Sequence, residues 1–302
     1  MRMRYVGVGK NIPANQTNKH RRPQEVLARE VIRVSDIIIE VLDARFIDET
    51  RNLELEDEIK KKGKKIIYVI NKADLIDSKQ LMSSGKLNAL FPYVLVSCKK
   101  NIGRSRLRDT IKIEVKRLRR ENSIIMRKLK SGILDIPGKE KEAIIKIDKR
   151  AHVGIIGYPN TGKSTLINVL AGGGAANAAP ESGFTKGIQK IRFSKDILIL
   201  DSPGLIPEKE NLFVNTDDIK KHAKIGAKGY DRTKEPEFVV LEIMKEFPGK
   251  IEKFYGLEPS GDLELVLETL GKKWSFLLKG GVVDTDRTSR RILKNWQEGK
   301  IR

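Results

Sequence analysis

Gly157-Tyr158-Pro159-Asn160-Thr161-Gly162-Lys163-Ser164 follows the apolar run His152 to Ile156 and opens a segment with helical apolar spacing. In that setting a Gly-x4-Gly-Lys-Ser spacing is a phosphate cradle. Backbone N–H groups and a helix N-terminus face an anion, Lys163 reaches the outer phosphate oxygens, and the Ser164 hydroxyl ligates Mg2+. Pro159, Asn160, Thr161, Gly162, Lys163, Ser164 and Thr165 are the candidate contacts. Alone, the pattern implies a nucleoside triphosphate without saying which one.

Working outward toward the C-terminus, Asp201-Ser202-Pro203-Gly204 ends the apolar run Ile197 to Leu200. Its carboxylate could hold Mg2+ through water, and Gly204 could offer a backbone N–H to a γ-phosphate. A plain strand-closing turn explains the same residues. Thr185, in Ser182-Gly183-Phe184-Thr185, could close over the metal when a γ-phosphate is present. Gly172 to Ser182 is rich in glycine and alanine without an apolar period, which predicts mobility in the absence of ligand.

Toward the N-terminus, Asn71-Lys72-Ala73-Asp74 and Ser97-Cys98-Lys99 follow the apolar runs Lys65 to Ile70 and Tyr93 to Val96. An Asp74 carboxylate is acceptor-only and takes both the N1–H and the exocyclic amine of guanine. Adenine presents a bare N1 lone pair there and is rejected. Lys72 would lie along the base, Asn71 would brace the phosphate loop, and the Cys98 N–H would meet the guanine O6. Cys98 reads as a small buried residue rather than a nucleophile, because no histidine pattern activates it. Each motif sits at a strand end, where ligands bind in open α/β sheets. The base readers precede the phosphate loop, so the nucleotide domain reads as circularly permuted.

Strand signals at Ser35 to Leu42, Lys65 to Ile70, Tyr93 to Val96, His152 to Ile156, Ile188 to Phe193 and Ile197 to Leu200 alternate with helix-length segments. The fold class is therefore α/β: a mostly parallel sheet of the P-loop GTPase kind with a C-terminal helical domain. Residues 1–30 read as a basic arm with a short helix starting near Pro23, 31–207 as the permuted GTPase domain, 131–150 as its internal linker, and 208–302 as helical and RNA-binding. Ile102 to Lys130 reads as one long basic helix, with Leu107, Ile111, Val115 and Leu118 on one face. In the C-terminal part, Phe238 to Phe247, Leu263 to Leu270 and Arg287 to Gln297 read as helices.

The net charge is +20 from 60 basic and 40 acidic residues, with pI near 9.8. A lysine-rich solvated surface would account for part of it, but the acidic residues fall well short of balance, which favours an RNA or ribonucleoprotein partner over an anionic membrane. No DNA partner is expected. No apolar run approaches the ~20 residues of a membrane helix, and the charged start lacks a signal region. One cysteine allows neither an internal disulfide nor a multi-cysteine zinc site, and a cytoplasmic setting is expected.

With these motifs in this order, the chain resembles the circularly permuted GTPases of ribosome assembly, most closely the YlqF/RbgA-type large-subunit factors. The likeness extends to Asp43-Ala44-Arg45, Arg51-Asn52 and Gly280-Gly281-Val282-Val283-Asp284. It implies GTP and GDP with Mg2+ held by Ser164, Thr185 and Asp201, binding to the large ribosomal subunit or its precursor and rRNA, and hydrolysis stimulated by the particle. Lys163, Asn160, Thr185 and Gly204 are the implied catalytic positions. A GTP-sensing RNA-binding module with negligible hydrolysis is the alternative. The bacterial Pro-Gly-His-Met stretch is absent, so His20 inherits no role, and Ser182 stands where the family usually has proline. Leu205 replaces the glutamine that orients water in Ras-like switches. Asn160 matches an asparagine that helps bind K+ in relatives; a polar residue tolerating unusual backbone angles is the simpler account. Asp43 and Arg45 either shape the nucleotide face or close a strand with an ion pair.

Overall fold

In the computed structural model the described residues are 24–138, 142, 144, 150–171, 188–206 and 216–301. The chain opens with α1 (Gln24–Val34), β1 (Ile37–Asp43), α2 (Ile47–Thr50), α3 (Leu53–Lys61), β2 (Lys65–Asn71), a one-turn 3-10 helix (Ala73–Leu75), α4 (Ser78–Ser83), β3 (Tyr93–Leu95) and α5 (Arg104–Lys130). It continues with β4 (Ala151–Ile156), α6 (Lys163–Ala171), β5 (Gln189–Arg192) and β6 (Ile197–Asp201). Helices follow: α7 (Thr216–Lys224), a 3-10 turn (Tyr230–Arg232), α8 (Pro236–Glu246), α9 (Lys250–Tyr255), α10 (Leu263–Lys273) and α11 (Thr285–Gln297).

The strands lie in the order β3-β2-β1-β4-β6-β5, parallel except for β5, which runs antiparallel to β6. The central strands are nearly continuous Ile, Val and Leu because both faces are covered. Ile37, Ile39 and Val41 of β1 join one core with Leu107, Ile111 and Val115 of α5. Ile38 and Leu42 join the opposite core with Leu55 and Ile59 of α3. β1, β2 and β6 run one residue further than the apolar pattern, because Asp43 still pairs with Asn71, and Asp201 with Ile155 and Gln189, whereas β3 and β5 stop one residue short of it. The long helix starts at Arg104, two residues after the expected start, behind Gly103.

The expected boundary at residue 30 falls inside α1, which buries Ala28, Val31 and Ile32. Its apolar face therefore belongs to the nucleotide domain. Of the expected linker, residues 131–138, 142, 144 and 150 are described, and Ile144 is buried. Gly172 to Ser182, Thr185, His20 and the boundary at 207 lie outside the described residues.

The C-terminal helices pack Val240, Ile243, Leu267, Ile292, Leu293 and Trp296 into one core, and Phe46 and Tyr158 of the sheet domain enter the same core. Phe46 lies 6.1 Å and Phe247 5.2 Å from the Trp296 ring. Shared aromatic packing of this kind fixes how the helical part sits on the sheet.

Candidate nucleotide site

The expected base readers and the phosphate loop, separated by some sixty residues of sequence, converge at the carboxyl ends of β2, β3 and β4. Asn71 is the joint between them. Its Nδ2 donates to the Thr161 carbonyl at 2.8 Å, and its Oδ1 accepts from the Cys98 N–H at 3.2 Å. Gly162 makes this bracing possible: its φ is +99°, and a Cβ there would collide with Asn71 Nδ2. The Cys98 N–H expected to face the guanine O6 is thus already held by Asn71, and reaches a ligand by sharing that bond. Burial, then the charge of Asp74, pushes the Cys98 thiol up to about 11, which suits a packing residue.

Asp74 sits in the 3-10 turn, where its Oδ1 accepts from Ser97 Oγ at 2.6 Å. Its Oδ2 is buried and accepts no hydrogen bond. A buried acceptor left unmatched costs about 1–3 kcal/mol, so this atom waits for a donor. Lys72, with φ +62°, places its ammonium 2.8 Å from Asp43 Oδ2. Asp43 is fully buried, and although burial opposes ionisation, Arg45 and Lys72 hold its carboxyl down at about 2. Arg45 forks onto both Asp43 oxygens at 3.1 and 2.9 Å, and also donates to the Trp296 carbonyl at 3.0 Å. Its guanidinium lies 5.1 Å from the Phe46 ring and 5.4 Å from that of Trp296. Of the two readings left open above, the pair closes β1 with an ion pair and lines neither cavity of the site; it also joins Lys72 to the helical domain.

In the phosphate loop Lys163 is buried at the N-terminus of α6, its ammonium donating to the carbonyls of Gly157 at 2.9 Å and Tyr158 at 2.7 Å. Burial, against the pull of Asp201, lowers its pKa to about 8. A cation at a helix N-terminus opposes the helix dipole, a cost that a bound phosphate removes. Thr161 Oγ1 donates to the Tyr158 carbonyl at 2.9 Å, locking the loop internally. Asn160 has φ +60° and donates its amide to the Gly226 carbonyl, behind α7.

Two cavities flank Lys163. One, of about 490 Å³, is lined by Asn71, Lys72, Asp74, Cys98, Lys99, Asn160 and Gly162 to Thr165. The other, of about 460 Å³, is lined by Pro159, Asn160, Lys163, Ser164, Asp201 to Gly204, and also by Gln24 and Gln189. Burial raises the pKa of Asp201, opposed by Lys163. The Ser164 hydroxyl and the half-buried Asp201 carboxylate line this cavity, and oxygen donors of this kind suit a hard divalent cation, so the two fit Mg2+. Leu205 packs among Leu42, Ala44 and Ile156, away from solvent.

Residues with no motif also reach the site: Gln24 and Gln189 in the second cavity, and Tyr230, Lys294, Gln297, Glu298 and Gly299 in the first. No periodicity or spacing marks them, because the fold alone carries them there.

A phosphate-loop sequence between β4 and α6, at the carboxyl edge of a mostly parallel sheet, is the architecture of the P-loop GTPase domain. Residues 152–246 match the family model described as "50S ribosome-binding GTPase". An uncharacterized GTP-binding protein of Methanocaldococcus jannaschii is 34% identical over 280 residues, covering 92% of this chain and 66% of that protein. Nucleolar GTP-binding protein 2 of Saccharomyces cerevisiae is 30% identical over 275 residues, covering 90% of this chain and 51% of that one. The chain thus spans about two thirds of the archaeal relative and half of the yeast one. GNP-bound YlqF of T. maritima shares the fold, with TM-score 0.58, 21% identity and coverage of 91% and 94% of the two chains. The chain is a homologue of the YlqF-type GTP-binding proteins.

Proposed function

We propose that the protein hydrolyses GTP to GDP and phosphate in the assembly of the large ribosomal subunit, with turnover stimulated by the particle. The unmatched, buried Asp74 Oδ2 in the same cavity as Lys163 carries the guanine-nucleotide reading. In the reaction a water oxygen bonds to the γ-phosphorus as the bond to the β–γ bridging oxygen breaks. Lys163 leaves its loop carbonyls for the β- and γ-oxygens. Gly204, backed against Pro159 and Lys163, offers its N–H to the γ-phosphate. Mg2+ would supply charge neutralisation there, held by Ser164, Asp201 and Thr185. Gln24 and Gln189 bring to this cavity the carboxamide chemistry that Leu205 lacks.

K+ beside Asn160 belongs to the same proposal, and it requires the Asn160 amide to turn from Gly226. The order of the motifs fits a circular permutation that ties the helical domain to the segment after Gly204, so that hydrolysis moves one with the other. An rRNA partner is supported by the net charge and by arginines stacked on aromatic rings in the helical domain: Arg291 lies 4.3 Å from the Trp274 ring centroid, and Arg287 4.1 Å from that of Phe276. A cytoplasmic location is part of this reading; among the described residues no helix is long and apolar enough to cross a membrane.

The burial of Leu205 favours the second reading, a GTP-sensing RNA-binding module in which hydrolysis is incidental. GTP turnover in K+ and in Na+ buffers, with and without purified large subunits, separates them. Stimulation by subunits is expected, and greater in K+. Tight GTP-dependent binding without stimulation establishes the sensing module, and equal rates in the two salts remove K+.

A further inference from the structure

With the base assigned to Asp74 and the phosphates to Gly162 to Thr165, the part of a nucleotide left between them is the sugar. The cavity that holds Asp74 and Lys163 is also lined from the helical domain, by Tyr230, Lys294, Gln297 and Glu298. These residues are built in. Gln297 accepts from the Tyr230 N–H at 3.2 Å while its amide donates to the carbonyls of Ala223 at 2.8 Å and Lys228 at 3.1 Å. Arg290 holds the Tyr230 carbonyl at 2.9 Å from the same helix. Lys294 places its ammonium 5.6 Å from the Tyr230 ring centroid, an exposed cation at the mouth of the cavity. Lys99 on the base side and Lys294 on the helical side both lower the pKa of Glu298, behind the larger effect of Lys300, so charge links the two lips of the opening.

We propose that Tyr230 and Lys294 of the helical domain form the sugar-facing wall of the guanine-nucleotide pocket, with Lys294 donating to a ribose hydroxyl. This rests on the guanine-nucleotide reading above and adds to it a binding wall from outside the nucleotide domain. Because the wall touches ligand only when the helical domain is docked, nucleotide stabilises the docked arrangement.

The test is calorimetric titration of GDP and of 2′,3′-dideoxy-GDP into the wild type, Lys294→Ala, Lys294→Arg, Tyr230→Ala and, as a control at another exposed lysine of the helical domain, Lys272→Ala. Lys294→Ala is expected to weaken GDP about threefold to tenfold, the loss of one exposed hydrogen bond. It should leave the dideoxy analogue nearly unchanged, while Lys294→Arg retains binding and Lys272→Ala matches the wild type. Lys294 is exposed, so this variant reads the proposal even if Tyr230→Ala fails to fold. GDP affinity in Lys294→Ala within about twofold of a binding wild type overturns it. Equal weakening of GDP and the dideoxy analogue overturns it too, since that is a field effect without a hydroxyl contact. A folded wild type that does not bind GDP sinks the guanine-nucleotide reading instead.

Discussion

The two ends of the pocket are built differently. At the base end Arg45 forks onto Asp43, Asn71 is tied to the Thr161 carbonyl and the Cys98 N–H, and Ser97 donates to Asp74 Oδ1, while Asp74 Oδ2 accepts no hydrogen bond. At the phosphate end the Lys163 ammonium donates to two carbonyls of its own loop, and the pKa of Asp201 is raised by burial. On the proposed reading, selectivity is set before ligand arrives, whereas charge balance at the phosphate end is completed by the ligand itself. The same contrast separates hydrogen-bond geometry, which hardly responds to pH here, from electrostatics, which does.

The largest effect on nucleotide affinity is expected from Asp74→Asn. A carboxamide puts a donor against the guanine amine, and GDP affinity should fall by about a thousandfold, as in sites built around a buried hydrogen bond. Xanthosine diphosphate, with an oxygen in place of that amine, should gain. Competition titration reads both, and an unchanged preference would break the account of a preset base end. Next comes Arg45→Ala, which leaves Asp43 buried with Lys72 alone and frees the Trp296 carbonyl. Denaturant unfolding should show a loss of about 3 kcal/mol, the usual cost of breaking a buried pair. GDP should also bind more weakly, because Lys72 loses its anchor.

The phosphate end is tested by pH. Lys163 in the free protein has its pKa lowered to about 8, and bound phosphate favours the charged form, so binding takes up a proton as pH approaches and passes 8. GDP affinity should drop several-fold between pH 7 and 8.5, about fourfold if the bound lysine stays fully charged. Titrations in buffers of different ionisation enthalpy measure the uptake. The smallest effect on affinity, none, is expected from Glu40→Gln, whose influence is on stability. Burial, then the neighbouring Glu56, lifts Glu40 to about 8. The folded state therefore keeps a proton that the unfolded chain releases above ~4.5, and this group's contribution to stability declines as pH rises from there to about 8. Glu40→Gln should flatten that decline in unfolding experiments across pH 5 to 8.

Much of this architecture was legible in the sequence because the motifs carry local signals. Buried strands announce themselves as β-branched runs, and Asn71, Ser97, Gly157 and Asp201 each follow one. Strand ends were misplaced by a residue or two because Asp43 and Asp201 are polar yet still in register with their neighbours. Arg45 could not be assigned from sequence, since its second partner, Trp296, is 251 positions away. Tyr230 and Lys294 were invisible for the same reason: a tyrosine in a turn and a lysine on a basic helix look like ordinary surface until folding brings them to Asp74. That Asn71 braces the Cys98 N–H could not be read from the sequence, since the two lie 27 positions apart.

Gly299 sits against Leu75, the residue after Asp74, so closely that a Cβ would lie 2.7 Å from Leu75 Cδ1. The turn that carries Asp74 and the residue packed against it are thus made at very different times. A growing polypeptide displays the Asp74 turn long before Gly299 leaves the exit tunnel, and contacts of such sequence separation form late. The turn that carries Asp74 is therefore backed by its late-made neighbour only in a polypeptide that has been synthesised and folded through residue 299.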